Sequence, residues 1–226
     1  MKTITSPVMR SLLAIFPYAS LAMLTISLLP VQAKWLTVPE RSPLHELVEE
    51  YLPNDYKDGE DPLTSSDMKT HSTELVNLGW RYFNAKDLDT ALKRFMLAIR
   101  TDRKNASAYF GVAYVCSIQN NIDDAITFYR EALRFEKKFA PIYANLARAL
   151  LMKDHHSAEA PKLLDEAIAV NPKFPESYIT YARYYIDRDD WKMAAEKANQ
   201  SVAIGRKLEP EIVLEFKQHG IKLREN

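Results

Sequence analysis

The feature that most constrains this chain is a repeat. Between residues 72 and 208 a similar pattern returns in four segments, 72–105, 106–139, 140–174 and 175–208. Their lengths are 34, 34, 35 and 34 residues, and the extra residue of the third falls near Asp154 and His155. Each segment holds two stretches with apolar residues at i, i+3, i+4 and i+7, the spacing of an amphipathic helix. A single helix pair cannot bury its apolar face alone, so such units must stack on their neighbours. The expected fold is therefore all-α, a stack of four helix-turn-helix units. Only 5 glycines occur in 226 residues, which argues against a turn-rich β fold and against glycine-rich phosphate loops.

The units agree where packing should be tightest. Position 8 is Gly79, Ala113, Ala147 and Ala182; position 20 is Ala91, Ala125, Ala160 and Ala194; position 27 is Ala98, Ala132, Ala167 and Ser201. Bulky residues recur at position 4 (Leu75, Tyr109, Tyr143, Tyr178) and position 7 (Leu78, Val112, Leu146, Tyr181). Position 24 is Phe95, Tyr129 and Leu164, with Ala198 as the exception. Antiparallel helices approach to about 8–10 Å only where a small residue on one faces a large one on the other. Asp87-Leu88-Asp89, Asn121-Ile122-Asp123 and Asp189-Asp190-Trp191 stand where the second helices should begin and supply cap-forming residues. In the third unit Ser157 is the expected cap, with Pro161 in the first turn.

This combination resembles the tetratricopeptide repeat, across residues 72–208. The family pattern has a bulky residue at 4, small residues at 8, 20 and 27, and a large residue at 24. The match is imperfect: Arg103, Lys137 and Arg206 stand at position 32, where the family has proline, and Cys116 stands at position 11. The resemblance implies a right-handed α-solenoid, a protein-binding role, and a solvating helix after the last unit. Residues 209–226 suit that capping helix and tail, with Ile212, Phe216 and Leu223 on one face and Gly220 as a stop.

The resemblance also implies that positions 2, 5, 6, 9, 12 and 13 of each first helix line an inner groove. Position 9 then reads Trp80, Tyr114, Arg148 and Arg183, and position 6 reads Asn77, Gly111, Asn145 and Thr180. Phe110 stands at position 5 and Phe83 at position 12, beside Val76 and Ala144 at position 5 of their own units. The expected partner-binding set is Asn77, Trp80, Phe83, Phe110, Tyr114, Asn145, Arg148 and Arg183. Its four aromatics are not needed to close the helix pairs. Aromatic and arginine side chains are enriched at binding hot spots, arginine can grip a carboxylate bidentately, and an amide both donates and accepts. Val76 and Trp80 replace the Lys and Asn of the subtype that clamps acidic tails. The expected ligand is an extended protein segment or helix, apolar with an acidic element. Another reading of the aromatics is that Trp80 and Phe83 pack beneath the segment before the repeats.

Outside the repeats, residues 1–10 carry Lys2 and Arg10 and no acid, residues 11–29 carry no charge, and Val31-Gln32-Ala33 follows. This three-part pattern reads as an export signal, residues 1–33, cleaved after Ala33. The competing reading is an uncleaved membrane anchor, since 19 residues approach the ~20 that span a bilayer. Export to the periplasm or beyond is expected in either case. Residues 34–71 form an extension with a short helix expected near Ser42 to Leu52, then an acidic linker. From Glu46 to Asp61 there are seven acids and one lysine. Those acids could reach Arg148 and Arg183 as a pseudo-ligand, or the stretch could be a plain solvated arm.

The chain has 30 basic and 30 acidic residues, so no whole-chain basic footprint for nucleic acid exists. Loss of a leader with two basic residues leaves 28 basic against 30 acidic. One cysteine excludes an intrachain disulfide framework. The five histidines form no metal-binding motif, and no nucleotide-binding motif occurs. No catalytic residue, metal or cofactor is expected. The expectation is a non-catalytic adaptor of the cell envelope; the alternatives are an inhibitor or immunity protein of a toxic enzyme, or a carbohydrate-binding module.

Overall fold

A computed structural model describes residues 68–224. The expected leader, short helix and acidic linker lie outside these described residues. Nine α-helices follow one another in the described part, with no strand among them. They are α1 (Met68–Asn84), α2 (Leu88–Thr101), α3 (Ala106–Ile118), α4 (Ile122–Phe135), α5 (Ala140–Lys153), α6 (Ala160–Val170), α7 (Pro175–Ile186), α8 (Trp191–Ala203) and α9 (Pro210–Gln218). Helices α1/α2, α3/α4, α5/α6 and α7/α8 form antiparallel pairs, and each pair packs on the next. The first helix starts at Met68, four residues before the repeat unit at residue 72.

Burial follows the small-residue positions. Ala91, Ala125, Ala160 and Ala194 are fully buried, as are Ala98, Ala132, Ala167 and Ser201. Phe95, Tyr129 and Leu164 at position 24 are equally buried. The closest approach is at Phe95. A Cβ added to Gly79 would lie 2.6 Å from its ring, and one added to Gly111 would lie 2.5 Å away. One phenyl ring is thus wedged between two glycines of adjacent units, and neither site has room for a methyl group. Gly111, at an expected groove position, is therefore a packing residue. Val76 and Ala144, also expected in the groove, are buried as well.

The fourth unit solves the same problem differently. Its position 24 is Ala198, and the missing bulk comes from outside the unit. Phe216 of α9 is fully buried in one cluster with Ala182, Ala194 and Ala198, and its ring meets Trp191 edge-on at 5.8 Å. The chain leaves α9 through Gly220, whose φ of 71° is the left-handed conformation glycine adopts at least cost.

Turns within units share one design. Lys86, Asn120 and Asp189 all stand at position 15 and all have positive φ (67°, 64° and 56°). The next backbone N–H reaches back five residues: Asp87 to the Tyr82 carbonyl (3.0 Å), Asn121 to Cys116 (2.8 Å) and Asp190 to Tyr185 (3.0 Å). This left-handed closure satisfies helix-end carbonyls. Asp87 and Asp190 then accept from Thr90 N–H and Met193 N–H as caps, whereas Asn121 makes no side-chain cap bond. The third unit departs, because six residues separate its two helices where three or four do in the other units. The cap position there is Glu159, without a side-chain bond, and not Ser157. Ser157 instead donates its backbone N–H to the Asp154 carbonyl within the turn.

Turns between units repeat too. Asp102, Glu136 and Asn171 each accept, through the side chain, the backbone N–H two residues on. The position-4 tyrosines close the same corner. Tyr109 donates its hydroxyl to the Arg103 carbonyl (3.1 Å), Tyr143 to Lys137 (3.2 Å) and Tyr178 to Pro172 (2.9 Å).

Candidate functional site

Four first-helix faces in register produce a groove. Its open part runs from α3 across α5 and α7 to α9, with a volume of about 710 Å³. Tyr114, Leu151, Met152, Ile179 and Ile212 supply apolar wall, and Arg148, Arg183, Arg206, His155, Glu176, Asp187 and Glu209 supply charge. Tyr114, Arg148 and Arg183 share position 9, which explains why they line one face. Met152 is half exposed, as is Ile118 one unit earlier.

The charges are largely organised against each other. Arg183 Nη1 pairs with Glu215 Oε2 of α9 at 3.3 Å. Arg206 bridges Glu176 (2.7 Å) and Glu209 (2.6 Å), tying α7 to the start of α9. His155 Nδ1 lies 3.2 Å from Asp187 Oδ2. Arg148 differs: its Nη2 donates to Asn145 Oδ1 at 2.6 Å, while Asn145 Nδ2 donates to the Pro141 carbonyl at 2.8 Å. The amide therefore aims the guanidinium, and Arg148 meets no carboxylate of a described residue in the groove.

The four aromatics expected at the site come together in one cluster. Trp80 lies 5.5 Å from Phe83, 6.0 Å from Phe110 and 5.9 Å from Tyr114 (ring centroids). Phe83 and Tyr114 are 5.3 Å apart. All four are half-buried, and they do help close the helix pairs: Trp80 packs on Phe95 at 5.0 Å and Phe110 on Tyr129 at 5.8 Å. Only Tyr114 of the four reaches the groove that holds the arginines. Asn77 is exposed and outside that groove, and Asn145 is half-buried and satisfied by its own helix. The structure thus separates the expected set into an aromatic cluster on α1 and α3, and a cationic groove on α5 and α7, joined at Tyr114.

Several groove residues escape sequence reasoning. Ile212 and Glu209 of the groove wall, and Glu215 that pairs with Arg183, belong to α9 and its start, which the repeat register does not assign to the groove. Arg206 had a visible signal, since it replaces the family's position-32 proline. Burial pushes the Cys116 thiol up to about 12 and raises the Tyr129 phenol. Among the described residues no group of three or more His, Cys, Asp or Glu is placed to hold a metal ion, and no helix is long and apolar enough to cross a membrane.

No family model matches the chain, and no curated protein matches it. Solved structures do. PilF of Pseudomonas aeruginosa is similar over 67% of this chain and 69% of its own, with a TM-score of 0.59 and 20% identity. TTC0263, a thermophilic tetratricopeptide-repeat protein of Thermus thermophilus, is similar over 66% and 82%, with a TM-score of 0.58 and 17% identity. A MamA protein is similar over 59% and 72%, with a TM-score of 0.51 and 20% identity. The fold is that of the tetratricopeptide-repeat solenoid.

Proposed function

We propose that this chain is a non-catalytic scaffold of the cell envelope that holds a segment of a partner protein in the groove across α3, α5, α7 and α9. The leader-like residues 1–33 support the location, and mass determination of the purified protein's N-terminus tests it: a start at Lys34 is the expected result. The observation that carries the binding reading is Arg148. Its guanidinium is steered by Asn145, lines a groove of about 710 Å³ with both apolar and charged walls, and meets no carboxylate of a described residue there. Preorganising a charge before binding lowers the ordering cost of the complex. A partner carboxylate would complete that position, and aliphatic side chains would fill the wall of Leu151, Met152 and Ile179.

The same geometry favours a protein segment over a sugar. Trp80, the ring best suited to stack on a pyranose, already contacts Phe83, Phe95, Phe110 and Tyr114. Selection from a displayed random-peptide library tests the proposal. Enriched peptides should combine aliphatic residues with Asp or Glu, and Arg148→Glu should weaken them about tenfold or more, the loss seen when one partner of a desolvated charge pair is removed. Peptides that bind Arg148→Glu and Ile179→Glu as well as the parent would place the binding elsewhere.

A further inference from the structure

The far end of the stack carries a second cleft, apart from the groove above. It measures about 760 Å³ and is walled by Val202, Leu208, Val213, Ile221 and Leu223. Its rim holds Lys207, Lys217, Lys222 and Arg224, and no carboxylate of a described residue lines it. Lys207, Lys217 and Arg224 form no ion pair within the described residues. Apolar surface continues outward, since Val213 and Leu214 are 44% and 54% exposed. An apolar floor inside a cationic rim selects a ligand with an apolar ridge flanked by carboxylates. A concave seat accepts a convex ridge of side chains, which a flat bilayer does not offer.

We propose that this cleft is the seat of the chain's own acidic segment, residues 47–61. In sequence, Leu47, Val48, Tyr51 and Leu52 fall at the spacing of one helical stripe, and six acids stand against the single Lys57. Charge decides between the two candidate seats. In the repeat groove Arg183 and Arg206 already have Glu215, Glu176 and Glu209 as partners, so of its arginines only Arg148 meets no carboxylate of a described residue, and Glu176, Asp187 and Glu209 repel arriving acids. At the terminal cleft they meet Lys207, Lys217 and Arg224 and no carboxylate of a described residue. Residues 53–67 number fifteen and reach up to ~50 Å when extended. Helix layers spaced ~8–10 Å apart place α9, four layers on from α1, about 32–40 Å away. The tether makes docking intramolecular, at an effective concentration in the millimolar range. The docked segment covers the apolar surface left beside α9, sets its acids on the cationic rim, and leaves the repeat groove open. The inference is therefore independent of the partner-binding reading.

Disulfide trapping in the full-length chain tests it, with Cys116 silent because it is buried. Val48→Cys combined with Val213→Cys should form an intrachain disulfide about tenfold faster than Val48→Cys combined with the exposed concave-face Ile118→Cys. Adding Lys207→Glu and Lys217→Glu should slow it about tenfold, and further addition of Glu49→Lys and Glu50→Lys should restore it. Equal rates for the two cysteine pairs, or no response to charge reversal, would overturn the proposal. So would a disulfide found only between two chains, which would make the occupant a second copy. Binding to anionic phospholipid vesicles that disappears in the Lys207→Glu, Lys217→Glu variant would overturn it in favour of a membrane surface.

Discussion

The two ends of the stack reach close packing by opposite routes. In the first two units the bulk is internal: Phe95 stands between Gly79 and Gly111, both too close for a Cβ, and its ring continues into the Trp80 cluster. In the fourth unit the bulk is borrowed: Ala198 leaves space at position 24, and Phe216 arrives from α9 to join its cluster. An internal wedge couples two units and cannot be released without opening both. A borrowed plug couples the last unit to a terminal helix and can withdraw alone. The contrast explains why the open, charged groove lies toward the C-terminal half, where α9 contributes Ile212 and Glu209 to the wall.

Truncating the two plugs should break the comparison most visibly. Phe95→Ala should cost about 3–5 kcal/mol in urea unfolding, the range for emptying a fully buried aromatic site. Because adjacent repeats share that ring, the loss should appear in amides of α1 to α4 alike. Phe216→Ala removes a side chain of the same size, but hydrogen exchange should show the effect confined to α7, α8 and α9. If Phe216→Ala destabilises α1 and α2 equally, the ends are not energetically distinct. The smaller Gly111→Ala should cost about 1–3 kcal/mol by overpacking. Phe95→Leu should suppress most of that cost, since residues in contact are not additive. Additive losses would mean that Phe95 is not the obstacle.

Most of this fold was legible because its determinants are local and periodic. Small residues at 20 and 27 mark helix contacts in every unit, and position 24 marks the bulk between them in three of the four. The exceptions were legible only as gaps. Ala198 stood out as the exception at position 24, but Phe216, which supplies the bulk, follows it by eighteen residues and lies outside the repeat register. The site divides the same way. Position 9 identified Tyr114, Arg148 and Arg183 as neighbours on one face. It did not reveal that Arg183 would face Glu215, because that pairing depends on how α9 docks. Nor did an expectation that the aromatics were free of packing duty survive, since Trp80 and Phe110 lie against Phe95 and Tyr129. Ser157 was misread as a cap because the six-residue connection carries the start of α6 on to Ala160.

The tyrosine corners sharpen the comparison at lower energy. Bulk at position 4 was visible in sequence, but not that three hydroxyls would each donate to a carbonyl six residues back. Tyr109→Phe should cost about 0.5–1.5 kcal/mol, the net worth of one such bond. Tyr178→Phe should cost less, because its hydroxyl is solvent-exposed and water can replace it. Equal losses in thermal melts would show that burial does not set the value of the corner.

The smallest expected effect belongs to alkaline pH. Burial raises the Cys116 thiol from an unfolded value near 9 to about 12, and desolvation raises the Tyr129 phenol above its ordinary value. Above pH 9 the unfolded chain sheds the thiol proton while the folded chain keeps it. The folded state then binds more protons, so stability falls as pH rises. For the thiol this contribution is complete below about pH 9 and is lost progressively toward about 12. Urea midpoints measured from pH 8 to pH 10 should therefore decline, and Cys116→Ala should flatten part of the slope. The native thiol should also resist alkylation at pH 8 at a rate set by opening of α3. Rapid alkylation of the folded chain would mean that the second unit opens more readily than its buried core allows. The internally wedged half would then be no firmer than the half closed by Phe216.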